Sequence, residues 1–113
     1  MPYEVTNRLG MVAWSEEAIA TLAGVAASEC PGVAGMAARG VGALAMLGRD
    51  SLARGVEVSV REGKVHLTLN IIVGYGHHVG AVGREVASRV RQALEEAGIP
   101  VGRVTVHVQG IRV

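Results

Sequence analysis

The sequence predicts one α/β (α+β) two-layer sandwich, with a single mixed or antiparallel sheet carrying two helices on one face. Three observations predict it. Two runs of alternating apolar and polar residues flank a short glycine-bearing turn. Two stretches with helical apolar spacing lie on either side of that hairpin, and a last alternating run follows the second of them. With 113 residues there is room for one domain, 1–113, and not two. A chain this size buries somewhat under ~70 % of its unfolded surface, enough for a two-layer core without staples.

Taken in order, Leu9 to Ala13 is expected to form a short strand, followed by a helix. Ser15 is a suitable N-cap, and Glu16 and Glu17 place negative charge where the helix dipole favours it. Ile19, Leu22, Ala23, Ala26 and Cys30 make one apolar stripe, and Pro31-Gly32 ends the helix. Ala18, Gly24 and Val25 form a second, weakly polar face, which predicts cover by another element or another subunit. Val33 to Met36 reads as another short strand. The next segment, AARGVGALAMLGRDSLARG at 37–55, is rich in glycine and alanine yet carries Val41, Leu44, Met46, Leu47 and Leu52. A structureless loop of this length is unusual inside a domain. Of a short helix, a flexible flap and a segment ordered by a partner, the last two are expected, because Gly40, Gly42 and Gly48 dilute helix propensity. Val41, Leu44, Met46 and Leu47 are its candidate partner surface.

The hairpin reads most cleanly. Val56, Val58 and Val60 alternate with Glu57, Ser59 and Arg61; after the turn Arg61-Glu62-Gly63-Lys64, Val65, Leu67, Leu69, Ile71 and Val73 alternate with polar residues and Ile72. A helix from about His78 to Ala97 follows. Val79, Val82, Val86, Val90, Ala93, Leu94 and Ala97 recur at spacings of three and four, and Gly98 with Pro100 stops it. Glu85 lies one turn before Arg89, and Arg91 one turn before Glu95, as on an exposed surface. In the final strand Val104, Val106 and Val108 point inward, while Arg103, Thr105, His107 and Gln109 point outward. The strand–helix–strand unit should cross right-handedly.

Composition excludes several functions. Net charge is +1, and ten of the eleven basic residues are arginine. Near-neutrality gives no general pull toward nucleic acid or anionic lipid. No apolar run reaches the ~20 residues of a membrane span, so no direct membrane insertion is expected, and a cytoplasmic location is. The single cysteine, Cys30, permits no internal disulfide and no Cys-x-x-Cys iron–sulfur scaffold, and is expected to pack as a small hydrophobe. No serine–histidine–acid arrangement assembles, and Asp50 is the one aspartate. No catalytic residue, no metal ligand set and no cofactor is therefore assigned.

One stretch invites a sharper reading. GYGHHVG at 74–80 resembles a phosphate-cradling turn, and its adjacent histidines suggest a metal. The dinucleotide fingerprint needs glycine at its sixth place, where this chain has Val79. Neighbouring histidines on a helix diverge by about 100°, so His77 and His78 make a poor chelate. The favoured reading is structural: the glycines permit a tight turn and the histidines cap a helix start. Gly74, Gly76, His77 and His78 remain the candidate anion or small-ligand turn, because free N–H groups gather at a helix N-terminus. His66 and His107, with Thr68, Asn70 and Thr105, should form a polar patch on the sheet if their strands are neighbours. GVAG at 32–35 has the spacing of a KH clamp, but three aromatics and no basic stripe make an RNA-binding module the lesser alternative.

A resemblance joins these pieces. LGMVAWSEEAIATLAGVAASECPGVAGM resembles the opening of the alkaline shock proteins, bacterial envelope-stress proteins, in its Ser-x-Glu, its alanine-rich helix and its Gly-Val-x-Gly-Met. GVEVSVREGKVHLTLNIIVGYG is similar to the family's central hairpin, which ends in Tyr-Gly, and VTVHVQGI to its closing strand. The resemblance spans Leu9 to Ile111. It implies a non-enzymatic cytoplasmic interaction or scaffold protein of stress response and envelope homeostasis, homo-oligomeric and held at the membrane by a small integral partner. Two departures put partner contacts in question. Leu67-Thr68 stands where members often carry an acidic residue, and the charged tail of larger members is not found after the last strand.

Overall fold

The computed structural model describes residues 3–7, 10–37 and 49–113. Its elements run β1 (Tyr3–Asn7), β2 (Gly10–Trp14), α1 (Glu16–Ser28), β3 (Val33–Met36), a 3-10 helix (Arg49–Gly55), β4 (Val56–Arg61), β5 (Lys64–Gly74), α2 (Val79–Glu96) and β6 (Val101–Arg112). The expected strand before α1 is present as β2. Its partner β1 was not read from the sequence; the two pair antiparallel from Tyr3↔Trp14 to Asn7↔Gly10 and make a two-stranded sheet of their own.

The main sheet is organised around β5. Along one side of it lie β3, from Val33↔Val73 to Met36↔Ile71, and β4, from Val56↔Leu69 to Arg61↔Lys64, both antiparallel. Along the other side β6 runs parallel, from Val65↔Val101 to Gly74↔Arg112, as a strand–helix–strand unit requires. The sheet is therefore mixed. The β4–β5 turn has φ of 53° at Glu62 and 76° at Gly63. Both central residues are left-handed, the type I′ geometry whose twist matches that of the strands it joins.

Both helices pack on the apolar face. Ile19, Ala23, Val65, Leu69, Ile71, Val73, Val86, Val90 and Leu94 are fully buried there. Each such branched side chain contributes about 1.5–3 kcal/mol through removal from water. Ser15 caps α1 by accepting the Ala18 N–H at 3.0 Å. The buried stripe of α1 differs from the expected one. Ala20, Gly24 and Ala27 are buried with Ile19 and Ala23, whereas Leu22 and Ala26 are half-buried. Gly24, placed by the sequence on the second face, is covered by the 3-10 helix: a Cβ there would lie 3.0 Å from the Leu52 carbonyl oxygen. The 3-10 helix thus covers Gly24, while Val25 on the same face stays exposed and Ala18 half-buried. The segment 37–55, expected as a flap, ends in this helix. It contains no glycine before its last residue, so the dilution by Gly40, Gly42 and Gly48 does not reach it. The candidate partner residues Val41, Leu44, Met46 and Leu47 lie outside the described residues.

Cys30 is buried, and its thiol donates to the Ala26 carbonyl at 3.4 Å, so it packs as the sequence predicts. At the end of α2, Gly98 takes φ +85° while the Ile99 N–H reaches back to the Leu94 carbonyl at 3.0 Å. The chain turns immediately into β6.

Candidate functional site

The strand-to-helix corner at 74–80 is built from its own backbone. The Gly74 N–H donates to the Gly32 carbonyl at 2.8 Å, and the Tyr75 N–H to the Arg112 carbonyl at 2.7 Å. These bonds tie the end of β5 to the start of β3 and the end of β6. Gly76 has φ +94°, a conformation that disfavours any side chain, and a Cβ there would meet nothing within 4 Å. Gly74 has a different constraint. Its φ is ordinary, but a Cβ would lie 3.3 Å from the His77 ring.

The two histidines have separate tasks. His78 is the N-cap of α2, its Nδ1 accepting the Ala81 N–H at 3.0 Å. The His77 ring leans over Gly32 and Gly74, 3.3 Å from where either Cβ would stand. His78 thus occupies one of the helix-start donors that an anion would need. Tyr75 is exposed. Among the described residues no group of three histidine, cysteine or acidic side chains is placed to hold a metal.

The opposite face of the sheet carries a larger feature. Pairing aligns Glu57 with Thr68 and Thr68 with Thr105, and Ser59 with His66, in rows across β4, β5 and β6. Asn70 stands beside His107, so the polar patch expected from the sequence is assembled. Glu57, Ser59, Arg61, His66, Thr68, Arg103 and Thr105 line a half-open trough of about 580 Å³. That size falls within the roughly 300–1,000 Å³ of small-molecule pockets, but such pockets are mostly apolar and enclosed. A polar, half-open trough suits an extended surface better.

Its floor is fixed by bonds not visible in the sequence. Between Val101 and Val104 strand β6 bulges, freeing backbone groups from the ladder. Arg91 of α2 takes two of them, donating to the Val101 carbonyl at 3.2 Å and the Gly102 carbonyl at 2.7 Å. His66 takes a third, its Nδ1 accepting the Arg103 N–H at 3.0 Å. The ring lies so close over Gly102 that any Cβ there would collide with it. Arg91 is therefore not the surface partner of Glu95 that the spacing suggested, whereas Glu85 and Arg89 do pair, at 3.5 Å. Further along, buried Asn70 donates to the Gly55 carbonyl at 3.2 Å and accepts from Gln109 at 2.7 Å. A polar residue at the centre of an apolar strand signals such a network, but not its partners.

Residues 4–113 match the model of the alkaline shock protein 23 family, described as having a cell envelope-related function. The chain is 33% identical over 117 residues to the uncharacterized protein YloU of Bacillus subtilis (strain 168), covering 100% of this chain and 98% of that one. It is 28% identical to the uncharacterized protein Spy1614 of Streptococcus pyogenes serotype M6, covering 100% and 97% respectively. YqhY of Bacillus subtilis (strain 168), also uncharacterized, is 29% identical, with 99% and 84% covered. No solved structure matches.

Proposed function

This chain belongs to the alkaline shock protein 23 family, whose function is cell envelope-related, and from that premise we propose that it acts by binding, as a non-enzymatic interaction or scaffold protein. The observation that supports this most is the sheet face opposite the helices. No described helix covers the trough, and its side chains are ion-pairing and hydrogen-bonding groups arranged in rows rather than a convergent catalytic set. Arg61 and Arg103 stand exposed on its rim and offer charged donors to a partner segment that carries carboxylates. Among the described residues no helix is long and apolar enough to cross a membrane. Envelope attachment would then come from a small integral membrane partner, with this chain on the cytoplasmic side. Nucleic acid is not the proposed ligand, because the balance of charge is near zero and stacking residues are few.

Affinity capture from the native organism, after in vivo cross-linking, tests the reading. The wild type should retain a small membrane protein, and Arg61→Ala with Arg103→Ala should lose it while melting normally. Recovery of tRNA or ribosomal material alone would refute the proposal, as would turnover of any metabolite by the purified chain.

A further inference from the structure

Strand β6 is the outer strand of the main sheet: among the described residues it pairs with β5 and with nothing else. Between Val104 and Val108, no described strand pairs with the N–H and C=O groups of its far edge. Natural edges are blunted by lysine, proline, inward charges or bulges. Here a bulge interrupts each end, one between Val101 and Val104 and one between Val108 and Gly110. The run between them, Val104-Thr105-Val106-His107-Val108, is regular, holds no lysine, proline or acid, and is β-branched at four of its five positions. Val108, opposite core residue Ile71, is 37% exposed, and Ile111 further along is 48% exposed. A short, uncharged, β-branched run on an open edge is the pattern that recruits another strand.

The run also indicates which strand. It reads almost identically in both directions. Paired antiparallel about a two-fold axis through Val106, Val104 meets Val108 of a second copy, Thr105 meets His107, and Val106 meets itself. Extending outward, Arg103 meets Gln109 and Gly102 meets Gly110, so the two bulges coincide and no like charges oppose one another. A slide of two residues one way sets Arg103 against His107, and the other way sets His107 on itself and Val104 against glycine. A slide of one residue pairs the valine face with the polar face, which one buried side forbids. One register is self-complementary.

We infer that β6 pairs antiparallel with β6 of a second copy, centred on Val106, and joins two main sheets into one. The six valines of the paired runs line the helix side of the seam, and the Thr105–His107 pairs lie on the trough side. A contact of five residues per chain is smaller than a standard interface of about 1,200–2,000 Å², so the dimer should depend steeply on concentration. This extends the binding reading above to a second copy and is independent of the membrane partner. Loss of that partner leaves the seam standing, and loss of the seam leaves the partner.

Cysteine cross-linking in a Cys30→Ala background tests both the seam and its register. Under a mild oxidant, Val106→Cys should form intermolecular disulfides roughly an order of magnitude faster than Ser88→Cys on the exposed side of α2, because directly opposed residues satisfy disulfide geometry. On the trough side, a mixture of Thr105→Cys and His107→Cys chains should cross-link faster than either alone by a similar factor. These two outward positions keep the test valid if Val106→Cys folds poorly. Sedimentation velocity of the wild type should shift from monomer toward dimer between micromolar and millimolar concentrations. A wild type that stays monomeric throughout would overturn the inference. So would cross-linking of Val106→Cys no faster than Ser88→Cys, or of Thr105→Cys alone as fast as the mixture, which means another register or another occupant.

Discussion

Replacing Arg91 by methionine isolates what the bulge of β6 needs. The substitution keeps an unbranched apolar stem against the helix surface and removes both N–H groups that reach the Val101 and Gly102 carbonyls, at 3.2 and 2.7 Å. A hydrogen bond from a charged donor contributes about 1.5–3 kcal/mol, and the two here are part-buried, so water can recover some of the loss. The expected cost is about 2–3 kcal/mol in total, or a fall in Tm of about 8–15 °C for a domain of this size. Urea titration followed by circular dichroism measures it, with the m-value unchanged. Arg91→Lys, able to reach one carbonyl, should lose about half as much. Arg89→Met removes only an exposed ion pair with Glu85 and should cost under about 0.5 kcal/mol. Equal, small losses at positions 89 and 91 would show that the bulge carbonyls do not need the guanidinium.

Other perturbations separate causes that look alike in sequence. Gly32 and Gly76 both hold positive φ, +91° and +94°, but a Cβ on Gly32 would also lie 2.7 Å from Val82 Cγ2. Gly76→Ala should cost about 1–2 kcal/mol from backbone conformation alone. Gly32→Ala should cost clearly more, and the reverse ranking in thermal melts would refute the steric account. His78→Ala should lose a cap worth about 1 kcal/mol. Neither zinc nor phosphate should raise the wild-type Tm; a shift abolished in both His77→Ala and His78→Ala would make the 74–80 corner a binding site. Burial pushes the Cys30 thiol above its ordinary value, with Arg89 opposing and Glu85 and Glu29 adding to it. The folded chain thus holds that proton more tightly than the unfolded one. Its contribution is intact below about pH 8.5 and is lost as pH rises through the folded value. Urea midpoints from pH 7 to 10 should fall faster for wild type than for Cys30→Ala, and parallel curves would refute this.

Much of the fold was legible because burial imposes a period. Val65 to Val73 alternate so regularly that β5 needs no further signal, and the valines of α2 recur on one helical face. What escaped has physical reasons. The phase of the apolar residues in β6 shifts between Val101 and Val104 and again between Val108 and Ile111, but such a shift reads as a strand end until the partner strand is placed beside it. Arg91 carries the same charge whether it faces Glu95 or turns beneath the sheet. Gly24 was read onto a weakly polar face with Ala18 and Val25, and Ala20 and Ala27 onto neither face, yet the small size of these three is what lets neighbouring elements approach α1. Strand β1 is five residues long and offers a pattern too short to separate from a loop. At the corner, the capping role of His78 followed from its position before an apolar helix, whereas the seat of His77 over two glycines required the chain's closure at Gly32.

Strand β5 is flanked on both sides for nearly its whole length, by β3 and β4 together on one and by β6 on the other. Its amide hydrogens can exchange with solvent only when neighbouring strands part, and no single neighbour can leave without exposing core residues such as Leu69 or Ile71. Deuterium uptake should therefore be slowest across Leu67 to Val73, at a rate set by opening of the entire domain. The β1–β2 ribbon, which pairs only with itself among the described residues, should exchange orders of magnitude sooner. The chain would then behave as a slow-opening body bearing a fast-opening arm.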